Sequence, residues 1–243
     1  MRIHILMQGK GGVGKSFISV IYSQYLKATG KSMFGIDTDP VNDTYHQFHG
    51  LEVVSCNICN RDGEIESENF DKILDYIEEH NDCSDVVIDN GSSDFIPLIN
   101  YIKSTKVFEL LNDLDHQIVV HSIISGGQAY YDTCTSLNVL LQSLDTDTFK
   151  TIVWLNPING KLTFDDFKTS KVYNENLDRK IWQVIQLPSF SDMFNKDIQQ
   201  MMSERKLFDE FINNKENHIM KRQRIIQAKK KFFEAISIAT QGV

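Results

Sequence analysis

The chain has 243 residues, of which 24% are charged and 41% hydrophobic, and this composition excludes a disordered, collagen-like or low-complexity protein. The length suits one large α/β domain or two small ones. The formal net charge of −8 hides an asymmetry, because residues 215–243 carry seven Lys/Arg against two Glu, a balance of +5 that leaves −13 for the rest.

The sequence shows no sign of export or membrane insertion. Its longest uncharged segment, residues 116–131, includes His, Gln, Ser and Gly, whereas a membrane-spanning helix needs roughly 20 apolar residues. The N-terminal segment reaches Gln8 and Gly9 too early for a signal peptide. Four cysteines in this length do not make a disulfide framework. We therefore expect a reduced, cytoplasmic protein.

Short apolar segments alternate with helical patterns along the chain. Strands are predicted at Ile3–Met7, Met33–Ile36, Val86–Ile88, Ile118–Val120, Ile152–Leu155 and Ile181–Ile185. Helices are predicted at 15–28, 68–79, 95–111, 127–143, 191–201, 204–213 and 217–240. Apolar strands separated by helices predict a parallel sheet covered on both faces, with right-handed crossovers. No repeat or linker divides residues 1–243, so one domain is expected.

The first predicted strand leads into a glycine-rich loop, residues 9–16, with the sequence Gly-Lys-Gly-Gly-Val-Gly-Lys-Ser. This loop matches the phosphate-loop pattern G-x-x-x-x-G-K-[ST] in the required setting between a strand and a helix. Glycines let the loop amides surround a phosphate, and the following helix adds its positive dipole. Lys15 is expected to contact the β- and γ-phosphates of a nucleotide, and the Ser16 hydroxyl to bind Mg²⁺. The predicted nucleotide-binding residues here are Gly11, Gly12, Val13, Gly14, Lys15, Ser16 and Phe17.

Aspartates follow two other predicted strands. Asp37 and Asp39 lie two positions apart after the second strand, where both carboxylates can face a phosphate-bound metal ion, although either can instead cap a helix. The apolar strand at 86–88 ends in Asp89, as in a Walker B element. Ligands of open α/β sheets bind beyond the carboxyl ends of the strands, so these are positions where functional residues are expected.

Lys10 distinguishes the loop from an ordinary phosphate loop. The sequence Lys-Gly-Gly-Val-Gly-Lys-Ser resembles the deviant Walker A signature of the ParA/MinD ATPases. The resemblance implies an α/β P-loop NTPase fold, with three αβα layers and a twisted, mostly parallel sheet. It also implies an ATP-dependent homodimer in which Lys10 reaches the nucleotide of the partner subunit. A solvated surface lysine is the alternative.

The same resemblance implies roles for the carboxylates. Asp37 would lie near Mg²⁺ through water, Asp89 would lie in the outer coordination shell, and Asp39 would position the attacking water. Asn42 would approach the dimer interface. The predicted catalytic residues are therefore Lys10, Lys15 and Asp39, and the predicted metal-site residues are Ser16, Asp37 and Asp89. The segment that follows, Asn90-Gly91-Ser92-Ser93, departs from the usual family continuation, although Gly91 can offer an amide to the γ-phosphate.

The resemblance also implies a site for the base. Asn156, after the strand at 152–155, would hydrogen-bond adenine, and Pro188, after the next strand, would pack on the base or simply end the strand in a turn. The chain contains no Asn-Lys-x-Asp sequence of the kind that reads guanine. ATP with Mg²⁺ is therefore the expected ligand.

Further segments resemble TraL/StbB-type plasmid proteins. They are residues 37–44, 89–98 and 126–133, with Val-Trp-Leu-Asn at 153–156 and Arg-Gln-Arg-Ile at 222–225. This resemblance implies a slow ATPase switch in plasmid conjugative transfer or plasmid partition and stability, with a plasmid transfer or partition protein as partner. The alternative is a nucleotide-dependent positioning scaffold with little or no hydrolysis.

Three features stay open at this point. His46, His49, Cys56 and Cys59 have zinc-like spacing, but a single Cys-x-x-Cys is a weak signal, and a redox pair or unligated side chains are the alternatives. The turn at 126–128 is either a partner surface or a tight turn. The basic helix at 217–240 carries an apolar stripe that predicts packing against a core. Its cations then form a solvated face, a non-specific DNA or nucleoid surface, or a membrane-surface helix if the stripe is free.

Overall fold

A seven-stranded, all-parallel sheet organises the chain in the computed structural model, which describes residues 1–39, 43–58, 66–176 and 181–240. The strands are β1 (Arg2–Leu6), β2 (Met33–Asp37), β3 (Val53–Ser55), β4 (Asp85–Asp89), β5 (Gln117–Ser125), β6 (Lys150–Asn156) and β7 (Gln183–Gln186). Their spatial order is β3-β2-β4-β1-β5-β6-β7, and each neighbouring pair is parallel. Parallel strands need crossover connections, which helices supply here.

Helices cover both faces of the sheet. They are α1 (Lys15–Ala28), α2 (Ser67–Glu79), α3 (Phe95–Thr105), α4 (Val107–Asp113), α5 (Tyr130–Ser143), α6 (Phe164–Lys168), α7 (Lys171–Asn176), α8 (Asp192–Ser203), α9 (Phe208–Asn213) and α10 (Ile219–Thr240). One core cluster joins the sheet to α2–α7, and a second joins its other face to α1 and α8–α10. The three-layer αβα prediction is confirmed. Within the described ranges, no helix is both long and apolar enough to cross a bilayer.

The register of the central strands brings two predicted site aspartates side by side. Leu6, the last residue of β1, is paired with Asp89 at the end of β4, and Asp89 is paired in turn with Asp37 at the end of β2. The loop that follows β1 therefore emerges directly beside both carboxylates. The sheet thus builds the site at its carboxyl edge, as parallel α/β sheets do.

Several predicted boundaries differ from the structure. The predicted helix 95–111 is two helices, because Lys106 adopts a left-handed backbone conformation (φ 55°) that ends α3. The predicted helix 204–213 begins only at Phe208, since Arg205 is also left-handed (φ 54°). Strand β3 and helices α6 and α7 were not predicted: β3 has three residues, none of them buried, and α6 and α7 have five and six. Such short elements carry too few residues for a periodic pattern.

Candidate functional site

The glycine-rich loop connects β1 to α1 and depends on left-handed glycines. Gly12 has φ 72° and Gly14 has φ 95°, a conformation that is strained for any residue with a Cβ. Gly14 is also the N-cap of α1, and a Cβ there would lie 2.6 Å from the Asn156 side-chain nitrogen. The predicted loop and helix start are thus confirmed, and the close approach explains why position 14 excludes side chains.

Side-chain amides hold the loop by its carbonyl oxygens. Asn156 Nδ2 donates to Val13 O at 2.9 Å, and Asn159 Nδ2 approaches Gly12 O at 3.4 Å while donating to Ser125 Oγ at 3.0 Å. Carbonyl oxygens repel phosphate, so tying them to these amides turns the repulsive groups of the loop away from an anion. Sequence reasoning missed Asn159, because it lies far from the loop in the chain.

Lys15 lies in the first turn of α1 and is only 8% exposed. Burial lowers the pKa of its ammonium group, while the charges of Asp89, Asp39 and Asp94 oppose that change. The lysine and three carboxylates therefore share one site at the sheet edge. Such a cluster of coupled charges in a buried position is typical of a functional site.

Asp89 is fully buried at the end of β4. Burial raises the pKa of its carboxyl group from 3.8 to about 7; the nearby hydroxyls of Ser16 and Ser19 oppose that rise, and Asp37 adds to it. Among the described residues, however, no hydrogen bond of normal geometry reaches either carboxylate oxygen. A buried carboxylate that lacks hydrogen bonds of normal geometry fits a site completed by a cation or its water ligands. The predicted metal residues Ser16 and Asp89 are thus close together and chemically suited to Mg²⁺.

Asp37 organises the segment that follows β2. Its Oδ1 accepts a hydrogen bond from the Asp39 amide at 3.1 Å, and its Oδ2 accepts from the Tyr45 and His46 amides at 2.8 and 3.0 Å. Burial raises the pKa of Asp37, and these backbone bonds oppose the rise. The carboxylate therefore fixes a turn as well as facing Asp89. Asp39 is partly exposed, and the predicted Asn42 and the adjacent Pro40 lie outside the described residues.

Asn90, where the sequence departs from the family pattern, cross-links the strand ends. Its Nδ2 donates to Leu6 O at 3.0 Å, and its Oδ1 accepts from Thr38 Oγ1 at 2.8 Å. Thr38 N–H also donates to Asp89 O at 2.9 Å. These bonds join β1, β2 and β4 beside the loop, so this departure has a structural role that sequence reasoning missed.

An apolar cavity of about 440 Å³ opens beside the loop. Aromatic rings form much of its wall: Phe17 and Phe190 both contact Phe232, with ring centroids 5.6 and 5.3 Å apart. The predicted base residues Asn156 and Pro188 both line it. The Asn156 side chain is engaged, however, because it also accepts from Ile158 N at 3.2 Å in addition to holding Val13.

Lys10 points along the surface rather than into the loop. Its Nζ lies 2.8 Å from the carboxylate of Asp132 on α5, and the two side chains are 46% and 58% exposed. Tyr131, the residue before Asp132, is 80% exposed. An exposed ion pair of this kind contributes at most about 1 kcal/mol, so the lysine can leave it at little cost.

The turn at 126–128 is a close contact between two loops. A Cβ on Gly126 would lie 2.1 Å from Gly160 O, and one on Gly127 would lie 2.2 Å from Asn159 O. This geometry favours the tight-turn interpretation. Because Asn159 supports the glycine-rich loop, the contact also helps to position that loop.

The histidine and cysteine residues form no metal cluster in the described part of the chain. His46 Nδ1 contacts Val53 O at 2.8 Å, and the Cys56 thiol donates weakly to Asn69 O at 3.7 Å. Cys59 lies outside the described residues, so the zinc-like spacing remains only a sequence pattern.

Helix α10 packs through the predicted apolar stripe. Ile225, Ala228, Phe232 and Ile236 are at most 3% exposed, and Ala235 and Ala239 pack against the same core. The free apolar face that a membrane-surface helix needs is therefore absent from this stripe. All six of its lysines and arginines also have contacts within the chain: Lys221 with Gln200, Arg222 with Ile212 O, Arg224 with Asp197, Lys229 with Asp209, Lys230 with Glu234 and Lys231 with Phe190.

Comparison with known proteins assigns the fold and the family. Residues 4–236 match the CobQ/CobB/MinD/ParA nucleotide binding domain. Two Escherichia coli proteins, each named protein TraL, are 38% and 36% identical to this chain over 241 residues, covering 98% of each chain.

Two solved structures share the fold. They are a ParA family ATPase from Chlorobium tepidum TLS (TM-score 0.56, 13% identity, 98% of each chain) and the Aquifex aeolicus MinC:MinD cell division protein complex (TM-score 0.52, 14% identity, 96% of each chain). At this identity the likeness concerns the fold alone. Together with the matched domain and the full-length TraL relatives, it shows that the chain belongs to the CobQ/CobB/MinD/ParA nucleotide-binding family.

Proposed function

We propose that the protein is an ATP-binding, slowly ATP-hydrolysing switch that acts in plasmid conjugative transfer or plasmid partition and stability. One observation carries the proposal: a left-handed glycine loop, a buried lysine and an orphaned buried aspartate meet beside an apolar cavity suited to a base. The family membership and the TraL relatives supply the biological context.

The residues of the loop bind and orient the nucleotide. Lys15 contacts the β- and γ-phosphates, and the loop amides with the N-terminus of α1 complete the cradle. Burial of Lys15 removes competing water, so its charge acts on the phosphates with less screening. The other nucleotide-binding residues are those predicted, with Asn156 and Pro188 at the base.

The carboxylates serve the γ-phosphate end of the site. Ser16, Asp37 and Asp89 would hold Mg²⁺, with the aspartates acting through water, and when bound this ion neutralises charge on the phosphates. Asp39 orients the attacking water. Asp37 keeps Asp39 in place, because its carboxylate accepts the Asp39 amide.

The active form is an ATP-dependent homodimer. In this proposal Lys10 leaves its exposed pair with Asp132 and reaches the nucleotide of the partner subunit. A plasmid transfer or partition protein then recognises the dimer in the cytoplasm. The packed apolar stripe of α10 gives less support to membrane attachment through that helix. Its exposed lysine pairs, such as Lys230 with Glu234, can be left at little cost, so DNA or nucleoid contact through them remains a hypothesis for the gel-shift test.

Phosphate release tests the enzyme hypothesis. The purified protein with its plasmid partners should release phosphate from ATP, and Lys15→Ala and Asp39→Ala should each abolish the activity. If Asp39→Ala alone retains nucleotide binding, the loss is assigned to the chemical step. Should the wild type show no turnover above Lys15→Ala while still binding ATP, the alternative of a non-hydrolysing positioning scaffold replaces the switch.

A further inference from the structure

Arg205 is the single charged residue among the described side chains that line the cavity. It comes from the connection between α8 and α9, whereas the predicted base residues lie at the end of β6 (Asn156) and after β7 (Pro188). Its backbone is left-handed, and its N–H donates to Met202 O to close the end of α8. Glycine is the usual residue at such a position, and a side chain there costs about 1 kcal/mol.

The guanidinium group of Arg205 bridges two segments. Its Nε donates to Gln47 Oε1 at 2.8 Å, its Nη1 donates to Met202 O at 2.9 Å, and its Cζ lies 5.9 Å from the centre of the Phe48 ring. These bonds use two of the five N–H donors that a guanidinium carries. The group can therefore hold Gln47 and still donate toward the cavity.

Gln47 belongs to the turn that Asp37 fixes. The carboxylate of Asp37 accepts the Tyr45 and His46 amides, and the Tyr45 hydroxyl is hydrogen-bonded to Ser23 Oγ at 2.5 Å. Tyr45 and the neighbouring Phe48 are fully buried. The turn is thus a firmly packed unit that connects Gln47 to Asp37 and to the attached Asp39 amide.

We propose that Arg205 is a positioning residue that senses a purine in the cavity and passes its presence through Gln47 to the turn held by Asp37. The inference rests on the proposed nucleotide function and deepens it. A guanidinium only donates, so it pairs with ring-nitrogen acceptors of the base or stacks on the base. A base held in this way fixes the guanidinium, and with it the turn that places the carboxylates beside the phosphates.

Two ligands and three variants test the proposal on the full chain. Binding of ATP and of ribose 5-triphosphate, which lacks the base, is measured by calorimetry with Mg²⁺ for the wild type, Arg205→Met, Arg205→Lys and Gln47→Leu. Hydrogen exchange of the Tyr45 and His46 amides is followed with and without ATP. Gln47→Leu is the matched control, because Gln47 does not line the cavity.

Arg205→Met should weaken ATP binding by about tenfold or more, as expected for a lost hydrogen bond to a charged group. Its affinity for ribose 5-triphosphate should stay within about twofold of the wild-type affinity. Arg205→Lys should recover part of the loss. Gln47→Leu should keep ATP affinity within about threefold, yet ATP should no longer slow exchange at the two amides as it does in the wild type.

Three results would overturn the sensing role. In Arg205→Met they are an equal loss of affinity for both ligands, or no loss of affinity for either. In Gln47→Leu it is a normal slowing by ATP of hydrogen exchange at the Tyr45 and His46 amides. If the wild-type protein binds ATP and the variants behave like the wild type, the proposed function stands and only the inference about Arg205 fails. If the wild-type protein binds neither ATP nor ribose 5-triphosphate, the proposed function and this inference both fail.

Discussion

The two ends of strand β4 carry buried aspartates whose effects on stability have opposite signs. Asp89, at the carboxyl end, accepts no hydrogen bond of normal geometry from the described residues, and burial, opposed by the nearby Ser16 and Ser19 hydroxyls, raises its pKa from 3.8 to about 7. Asp85, at the other end, is also buried, but its hydrogen bonds from His4 and Ser84 and the charge of Arg2 outweigh burial and lower its pKa. The variants Asp89→Asn and Asp85→Asn therefore form a matched pair in which the effect of each carboxylate on stability can be compared.

The magnitude for Asp89 follows from the shift in its pKa. Well below pH 3.8 the side chain is protonated in both the folded and the unfolded state, so its ionisation contributes nothing to stability there. As the pH rises from 3.8 to about 7, the unfolded chain ionises first, so stability is lost across this window. The full loss is up to about 4 kcal/mol, because each tenfold change in proton affinity is worth about 1.4 kcal/mol. Asp89→Asn removes this loss.

Urea unfolding of the nucleotide-free protein between pH 4 and pH 8 is the assay. The difference in unfolding free energy between Asp89→Asn and wild type should grow by up to about 4 kcal/mol from pH 4 to pH 8. Any constant effect of the new amide cancels in that comparison. Asp85→Asn should behave differently: it should be less stable than wild type by a nearly constant amount across this range. That deficit should shrink only when the measurement is extended below pH 3.8, where the native Asp85 becomes protonated.

A flat difference for Asp89→Asn across this range would show that the Asp89 carboxylate is already satisfied in the folded protein. The orphaned-carboxylate interpretation of the metal site would then fail. A parallel response of the two variants would likewise refute the contrast between the two ends of β4.

Three further outcomes are expected. Lys10→Ala should weaken ATP-dependent dimerisation, measured by light scattering, while most nucleotide binding by the monomer remains; unchanged dimerisation would exclude the cross-subunit role of Lys10. Asp132→Asn should change the free energy of unfolding by less than about 1 kcal/mol, because the ion pair of Lys10 and Asp132 is exposed. Gly14→Ala should abolish ATP binding and cost about 1–2 kcal/mol on urea unfolding, because φ is 95° and the new Cβ would contact Asn156; binding at the wild-type level would contradict the loop geometry. Neutralising residues 229–231 tests the DNA hypothesis by gel shift of plain duplex DNA: a salt-sensitive shift lost in the variant would support it, and no shift at low salt would exclude it.

Some predictions from the sequence are confirmed at the level of elements. The glycine loop and the helix at 15–28 coincide with the structure, because their signals lie in adjacent residues. The predicted strands exist, with boundaries that differ by at most two residues except at the end of β5, which extends to Ser125, since neighbouring strands decide where pairing begins and ends. The break at Lys106 was missed, because no glycine or proline marks it.

For the site, the sequence located the groups that immediately follow strands. It placed Lys15, Asp37 and Asp89 together, because parallel strands bring their carboxyl ends to one edge. It did not reveal that Asn156 holds the Val13 carbonyl or that Asn90 joins three strands. Those bonds depend on side-chain direction across the sheet, which no local pattern records.

Hydrophobic periodicity and a contiguous motif are properties of neighbouring residues, so the amino-acid order was enough to predict the fold class and the phosphate loop. The strand order that pairs Asp37 with Asp89 came from the folded chain, as did the contact between Arg205 and Gln47, which lie 158 positions apart. The same is true of the contacts that the six lysines and arginines of α10 make within the chain. These features require distant segments to meet, and the meeting is set by packing of the whole sheet and its helices.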